Sequence, residues 1–156
     1  RGQRRAAGGD RARGAGGMSY VKIIPIEFNH CDPAGIVFYP RYFEMTNSVV
    51  ENFFADVVGY SFARMHAGAQ NGVPTVSIRC DFRAPSRLGD KVPFTLTVKA
   101  LGKSSVTMRI VAAVGGETRL ETENTLVWID GGRAAPWPEE IRARLEAELS
   151  KGGQDG

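Results

Sequence analysis

Apolar and polar positions alternate in blocks whose period changes along the chain. Tyr20 to Phe28 is rich in β-branched residues and reads as a first strand, with Pro25 marking an edge or irregularity because it lacks an amide donor. From Pro40 to Val58 the period becomes helical. Phe43, Thr46, Asn47, Val50, Phe53, Phe54 and Val57 define the expected buried face, and Arg41, Glu44, Ser48, Glu51 and Asn52 the opposite one. Pro40 suits the first turn and Gly59 the C-terminal cap. Residues 60–72 are less regular, with a short helical turn expected around Phe62–Ala67.

Period two then takes over. Val73–Phe82 is a strand stopped by Arg83-Ala84-Pro85, followed by Lys91–Leu101, Ser105–Val114 and Arg119–Ile129. Gly115-Gly116 signals a hairpin. Residues 137–150 form a terminal helix with Pro138, Glu139 and Glu140 in its first turn. Ile141, Leu145 and Leu149 give it a narrow stripe, and its heavy charge predicts packing on the outside. The order predicts an α+β protein, an antiparallel sheet wrapped round one long helix.

Charge alters this picture only at the N-terminus. Residues 1–17 hold five arginines and one aspartate, and the remainder carries a net −1. That segment is expected to be a disordered basic tail, and residues 151–156 a frayed end. The body lacks the basic face of a nucleic-acid binder. No apolar stretch is long enough for a membrane span, and no secretory pattern follows the basic N-terminus. Two cysteines, Cys31 and Cys80, make no disulfide framework, so a cytoplasmic chain with reduced thiols is expected. With His30 and His66 as the two histidines, no metal-ligand spacing exists.

Candidate chemistry lies where loop becomes helix. Asp32-Pro33-Ala34-Gly35 is a tight loop running into the helix that starts at Pro40. Asp32 is either the acceptor of an Asx turn or a carboxylate placed for chemistry. A helix start offers N–H groups without intrahelical partners, which can stabilise an oxyanion. Together they suit acyl transfer, and thioester hydrolysis in particular, because a thiolate leaves readily.

Phe28 to Tyr42, FNHCDPAGIVFYPRY, resembles the signature of the 4-hydroxybenzoyl-CoA thioesterase family of hotdog-fold proteins, its core running from Cys31 to Tyr42. The resemblance implies a hotdog domain over residues 18–136, with 137–150 an added helix. It implies that Asp32 acts as nucleophile or general base and that the Tyr39 backbone N–H polarises the thioester carbonyl. Gly35, His30 and Asn47 fall at substrate-facing positions. Lys103, Ser104 and Ser105, with Arg133, are the nearest match to the coenzyme A clamp. No separate cofactor is implied, since coenzyme A is part of the substrate. Active sites at the interface of a homodimer, or of a homotetramer built as a dimer of dimers, follow likewise.

Three positions depart from the bacterial enzyme of that family. His30 replaces an acidic residue, Asn47 an aspartate on the helix, and Gly102 a basic residue. His30 is either a base or coenzyme contact, or a loop histidine bonded to backbone. Asn47 either meets the acyl group or is satisfied within helix packing. Cys31 reads as a small buried thiol. The expected activity is hydrolysis of an aryl or short-chain acyl-CoA. The alternatives are an acyl-carrier-protein thioesterase and a non-catalytic hotdog protein that binds acyl-CoA or a partner.

Overall fold

In the computed structural model, residues 19–67 and 70–152 are described. The expected tail, 1–17, lies outside them. The elements are β1 (Tyr20–Pro25), α1 (Arg41–Phe53, prolonged by a π-helical turn at Phe54–Val58), α2 (Phe62–His66), β2 (Asn71–Gly72), β3 (Thr75–Phe82), β4 (Lys91–Leu101), β5 (Ser105–Val114), β6 (Glu117–Val127), β7 (Ile129–Asp130), β8 (Arg133–Ala134) and α3 (Glu139–Gly152). Five strands form an antiparallel sheet in the order β1-β4-β5-β6-β3, and β2, β7 and β8 form a small second sheet. The large sheet packs round α1 in the expected hotdog arrangement.

The register follows the alternation in the sequence. Val92, Phe94, Leu96 and Val98 of β4 are buried, as are Val106, Met108, Ile110 and Ala112 of β5 and Leu120, Thr122, Asn124 and Leu126 of β6. Partners such as Leu96–Ile110 and Met108–Asn124 keep these residues on one face. β1 is an edge strand and ends at Pro25, so the missing donor costs no ladder bond beyond it. The first strand is shorter than its sequence suggests, because Phe28–His30 coils into a 3-10 turn.

α1 begins one residue after Pro40, and its buried stripe is rotated from the expected one. Tyr42, Met45, Thr46, Val49, Val50, Phe53, Phe54 and Val58 are buried, whereas Phe43 and Val57 are half-buried and Asn47 is exposed. The sheet covers only one flank of the helix, so the flank of Phe43 and Asn47 lies open. Phe53 and Phe54 are adjacent yet both buried, with rings 5.8 Å apart and edge-on. Each contributes about 2–3 kcal/mol of apolar burial. Gly59, at φ 75°, closes the helix in a left-handed conformation open to glycine without strain.

The terminal helix belongs to the core more than its charge suggests. Ile141 and Leu145 are fully buried, and Trp137 just before the helix stacks on Phe54 with centroids 6.5 Å apart. Three apolar anchors outweigh a solvated outer face.

Candidate functional site

The segment Cys31–Val37 is a small β-loop. Cys31 and Val37 form an antiparallel bridge, and inside it the Asp32 N–H donates to the Ile36 carbonyl at 3.0 Å. The Gly35 N–H donates to the Asp32 carbonyl at 3.0 Å, and Gly35 sits at φ 77°, a conformation a side chain would strain. The Ala34 N–H donates to Asp32 Oδ1 at 2.8 Å. The Asx turn open from the sequence is therefore present. It fixes a half-buried carboxylate while Oδ2 carries no bond within the chain among the described residues.

The returning arm leads into α1. The Phe38 N–H donates to the His30 carbonyl at 3.0 Å, and the Arg41 N–H to the Phe38 carbonyl at 2.9 Å. Between them, the Tyr39 N–H has no acceptor among the described residues. It sits immediately before Pro40, the N-cap residue of α1, where the helix dipole favours negative charge. The Tyr39 ring is exposed and lies edge-on to Phe82, at 5.9 Å. Tyr42 and Phe43 also meet Phe82, at 5.9 and 6.3 Å.

A second loop, residues 83–90, clamps the first, and sequence reading did not single it out. The Val37 N–H donates to Ser86 O at 2.9 Å, and the Leu88 N–H to Gly35 O at 3.0 Å. A polar knot holds this loop. Arg119 Nη1 donates to Pro85 O at 3.0 Å and to Asp90 Oδ2 at 3.0 Å, and Asp90 Oδ2 also accepts the Arg87 N–H at 2.9 Å. The Arg87 amide first, and the Arg119 guanidinium second, hold the Asp90 carboxyl below its ordinary range. The only available signals were Pro85 and Gly89-Asp90, and Arg119 is some thirty residues away in sequence.

His30 uses its ring on the backbone. The Glu27 N–H donates to His30 Nδ1 at 2.9 Å, and the His30 N–H to the Glu27 carbonyl at 3.0 Å. The ring lines a groove of about 240 Å³ between β1 and α1, together with Lys22, Glu27, Glu44, Met45 and Ser48. Cys31 Sγ donates to the Glu27 carbonyl at 3.6 Å, a small half-buried thiol in a structural contact. Burial, with Asp81 beside it, pushes the Cys80 thiol up to about 11, leaving it protonated at neutral pH. Asn47 is exposed one turn beyond Phe43, so it is not satisfied within helix packing.

Lys103, Ser104 and Ser105 lie at the other end of the sheet. Their carbonyls bind the C-terminal segment: Trp137 N–H to Lys103 O at 3.1 Å, Trp128 N–H to Ser104 O at 2.7 Å, and Trp137 Nε1 to Ser105 O at 3.1 Å. Arg133, exposed on β8, belongs to that same end. The eleven residues of β4 separate this turn from the Asp32 loop, roughly 35 Å at about 3.3 Å per residue. Within one chain the structure brings together Asp32, Gly35, Tyr39 and the His30 backbone, but not the coenzyme candidates. Among the described residues no cluster of three or more His, Cys, Asp or Glu side chains could hold a metal ion, and no helix is long and apolar enough to cross a membrane.

Comparison with known proteins agrees with this fold. A family described as the thioesterase-like superfamily matches residues 26–145. Curated proteins yield no match. Among solved structures, the gentisyl-coenzyme A thioesterase BH1999 is 25% identical, with a TM-score of 0.73 over 81% of this chain and 98% of that one. A thioesterase from Thermus thermophilus, complexed with coenzyme A and Zn, is 27% identical, with a TM-score of 0.71 over 83% of this chain and 93% of its own. Slr0204 from Synechocystis, a 1,4-dihydroxy-2-naphthoyl-CoA thioesterase, shares the fold at 17% identity and a TM-score of 0.75, over 81% of this chain and 95% of that one.

Proposed function

The chain belongs to the thioesterase-like superfamily of thioester hydrolases, and from that premise we propose that it cleaves an aryl or short-chain acyl-CoA, with Asp32 and the Tyr39 N–H as the reacting pair. The observation that carries this is the Tyr39 N–H, left without an acceptor among the described residues at the start of α1 while the arm holding it is bonded back to the Asp32 arm. A thioester carbonyl oxygen accepting that N–H would gain stabilisation as it becomes an oxyanion. Asp32 then works in one of two ways. As a general base, Oδ2 takes a proton from water, the water oxygen bonds to the carbonyl carbon, and the oxyanion collapses to expel the coenzyme A thiolate, which recovers the proton. As a nucleophile, the carboxylate attacks the carbon and expels the thiolate, and water hydrolyses the resulting anhydride.

A homodimer completes this site. β3 is an unpaired edge along which Val76, Ile78 and Phe82 are exposed, the kind of edge that recruits another strand. Antiparallel pairing of two β3 strands about a two-fold axis reverses the partner's sheet. That carries the partner's β4–β5 turn to the end where Asp32 lies, three strands across, or about 15 Å at about 4.8 Å per strand. The coenzyme would then lie between one subunit's Lys103–Ser105 turn and the other's Asp32 loop. Exposed Asn47, beside Phe43 and Phe82, would line the acyl side. An aryl group suits those rings, in keeping with the gentisyl-coenzyme A thioesterase among the similar structures.

A panel of aryl, branched and straight-chain acyl-CoA thioesters, with thiol release followed by a colorimetric reagent, tests the reading. Turnover should be highest with aryl or short acyl groups. Turnover of acyl-carrier-protein thioesters alone would remove coenzyme A from the reaction, and no turnover of any thioester would overturn the proposal.

A further inference from the structure

His30 touches both arms of the Asp32 loop. Its ring accepts the Glu27 N–H through Nδ1 at 2.9 Å, which closes the 3-10 turn Phe28–His30. Its carbonyl accepts the Phe38 N–H at 3.0 Å, the last bond before the Tyr39 amide. The Cys31–Val37 bridge and the Asx turn of Asp32 follow directly from this stem. The ring thus fixes the carbonyl that ties the Tyr39 arm to the Asp32 arm.

Nδ1 can accept an N–H only while it is unprotonated, so the ring must be neutral with its proton on Nε2. Protonation would set a ring N–H against the Glu27 N–H, replacing an attraction with a repulsion. The charged groups that share the groove with His30 are Lys22 from β1, Glu27 from its own turn and Glu44 from α1, the last already paired with Arg41 at 2.8 Å. Asp32 follows two residues along the chain.

We propose that His30 is a positioning residue for the hydrolytic site: its neutral imidazole sets the Tyr39 N–H against Asp32, and its protonation releases that setting. This rests on Asp32 and the Tyr39 amide being the reacting pair. The role differs from a base or a coenzyme contact, because the ring acts through the backbone bond it accepts at Nδ1. A purely structural histidine would affect stability but would not link the titration of the ring to the Tyr39 amide.

Nitrogen-15 NMR of the full chain reads the ring and the amides together across pH, and a second arm compares the pH dependence of kcat in wild type and H30N. Asparagine offers a carbonyl acceptor at a similar reach and does not titrate. Nδ1 should be unprotonated at about pH 8, and the Phe38 and Tyr39 amide resonances should move with the His30 titration. In H30N the ratio of kcat at acid pH to that at about pH 8 should rise, because asparagine keeps an acceptor for the Glu27 N–H and does not titrate. A neutral ring protonated on Nδ1, amides that ignore the titration, or an unchanged ratio would overturn the proposal. If the wild type hydrolyses no thioester, the reaction assignment fails, and the NMR arm still decides the role of His30.

Discussion

At the scale of single residues, the site is held by groups that do no chemistry. Asp90 accepts two donors in the knot that seats loop 83–90 against Gly35 and Val37. Because its folded pKa is lowered, Asp90 contributes stability that is fully present above the unfolded carboxylate value of about 3.9 and is lost as pH falls through the lower folded value. D90N should therefore lower stability by on the order of 1 kcal/mol near neutral pH, a modest figure because the group is partly solvated. The gap to wild type should shrink below about pH 4. Denaturant titrations of both proteins at several pH values check this, and a gap that does not change with pH would remove Asp90 from the knot. The turn at Asp32 and the helix start after Tyr39 were legible in the sequence because the Asp-Pro-Ala-Gly run and Pro40 mark them locally. Arg119 was not, since its partners lie across the fold on a loop that shows only Pro and Gly.

Among the elements, α1 and β3 define the open side of the molecule. Helical spacing located α1 well, but the stripe actually buried includes Tyr42, Met45 and Val49 instead of Phe43 and Asn47. Periodicity gives a wide apolar arc, and only the position of the sheet selects which part of it is covered. In β3, the alternation predicted a strand, yet all but Cys80 of Thr75–Phe82 are exposed. An apolar edge strand without cover asks for a partner strand. Placing a charge there should keep chains apart: on the proposed shared site, I78K should convert a dimer to monomer and lower hydrolysis at least tenfold. Light scattering beside the turnover assay checks both halves. A wild type that is monomeric and fully active would contradict the shared site.

For the whole molecule, the long axis of the sheet separates the two groups of residues that the proposed reaction would bring together. One end carries Asp32, Gly35 and Tyr39. The other carries Lys103–Ser105 and Arg133, fastened to Trp128 and Trp137. Both ends were visible in the sequence as loops, but not their distance, because strand length becomes separation only once the register is set. The terminal helix shows the same limit: its charge pointed outward, while Ile141, Leu145 and the preceding Trp137 entered the core. In the proposed reaction the carboxylate of Asp32, and not the fold in general, performs the hydrolysis. Replacing Asp32 by Asn keeps an oxygen for the Ala34 N–H and removes the charge. Steady-state kcat of D32N on the best acyl-CoA of the panel, with folding verified by circular dichroism, is the direct test. A catalytic Asp32 predicts a loss of about a hundredfold or more in kcat, with KM changed little, and a folded D32N retaining wild-type kcat would contradict it.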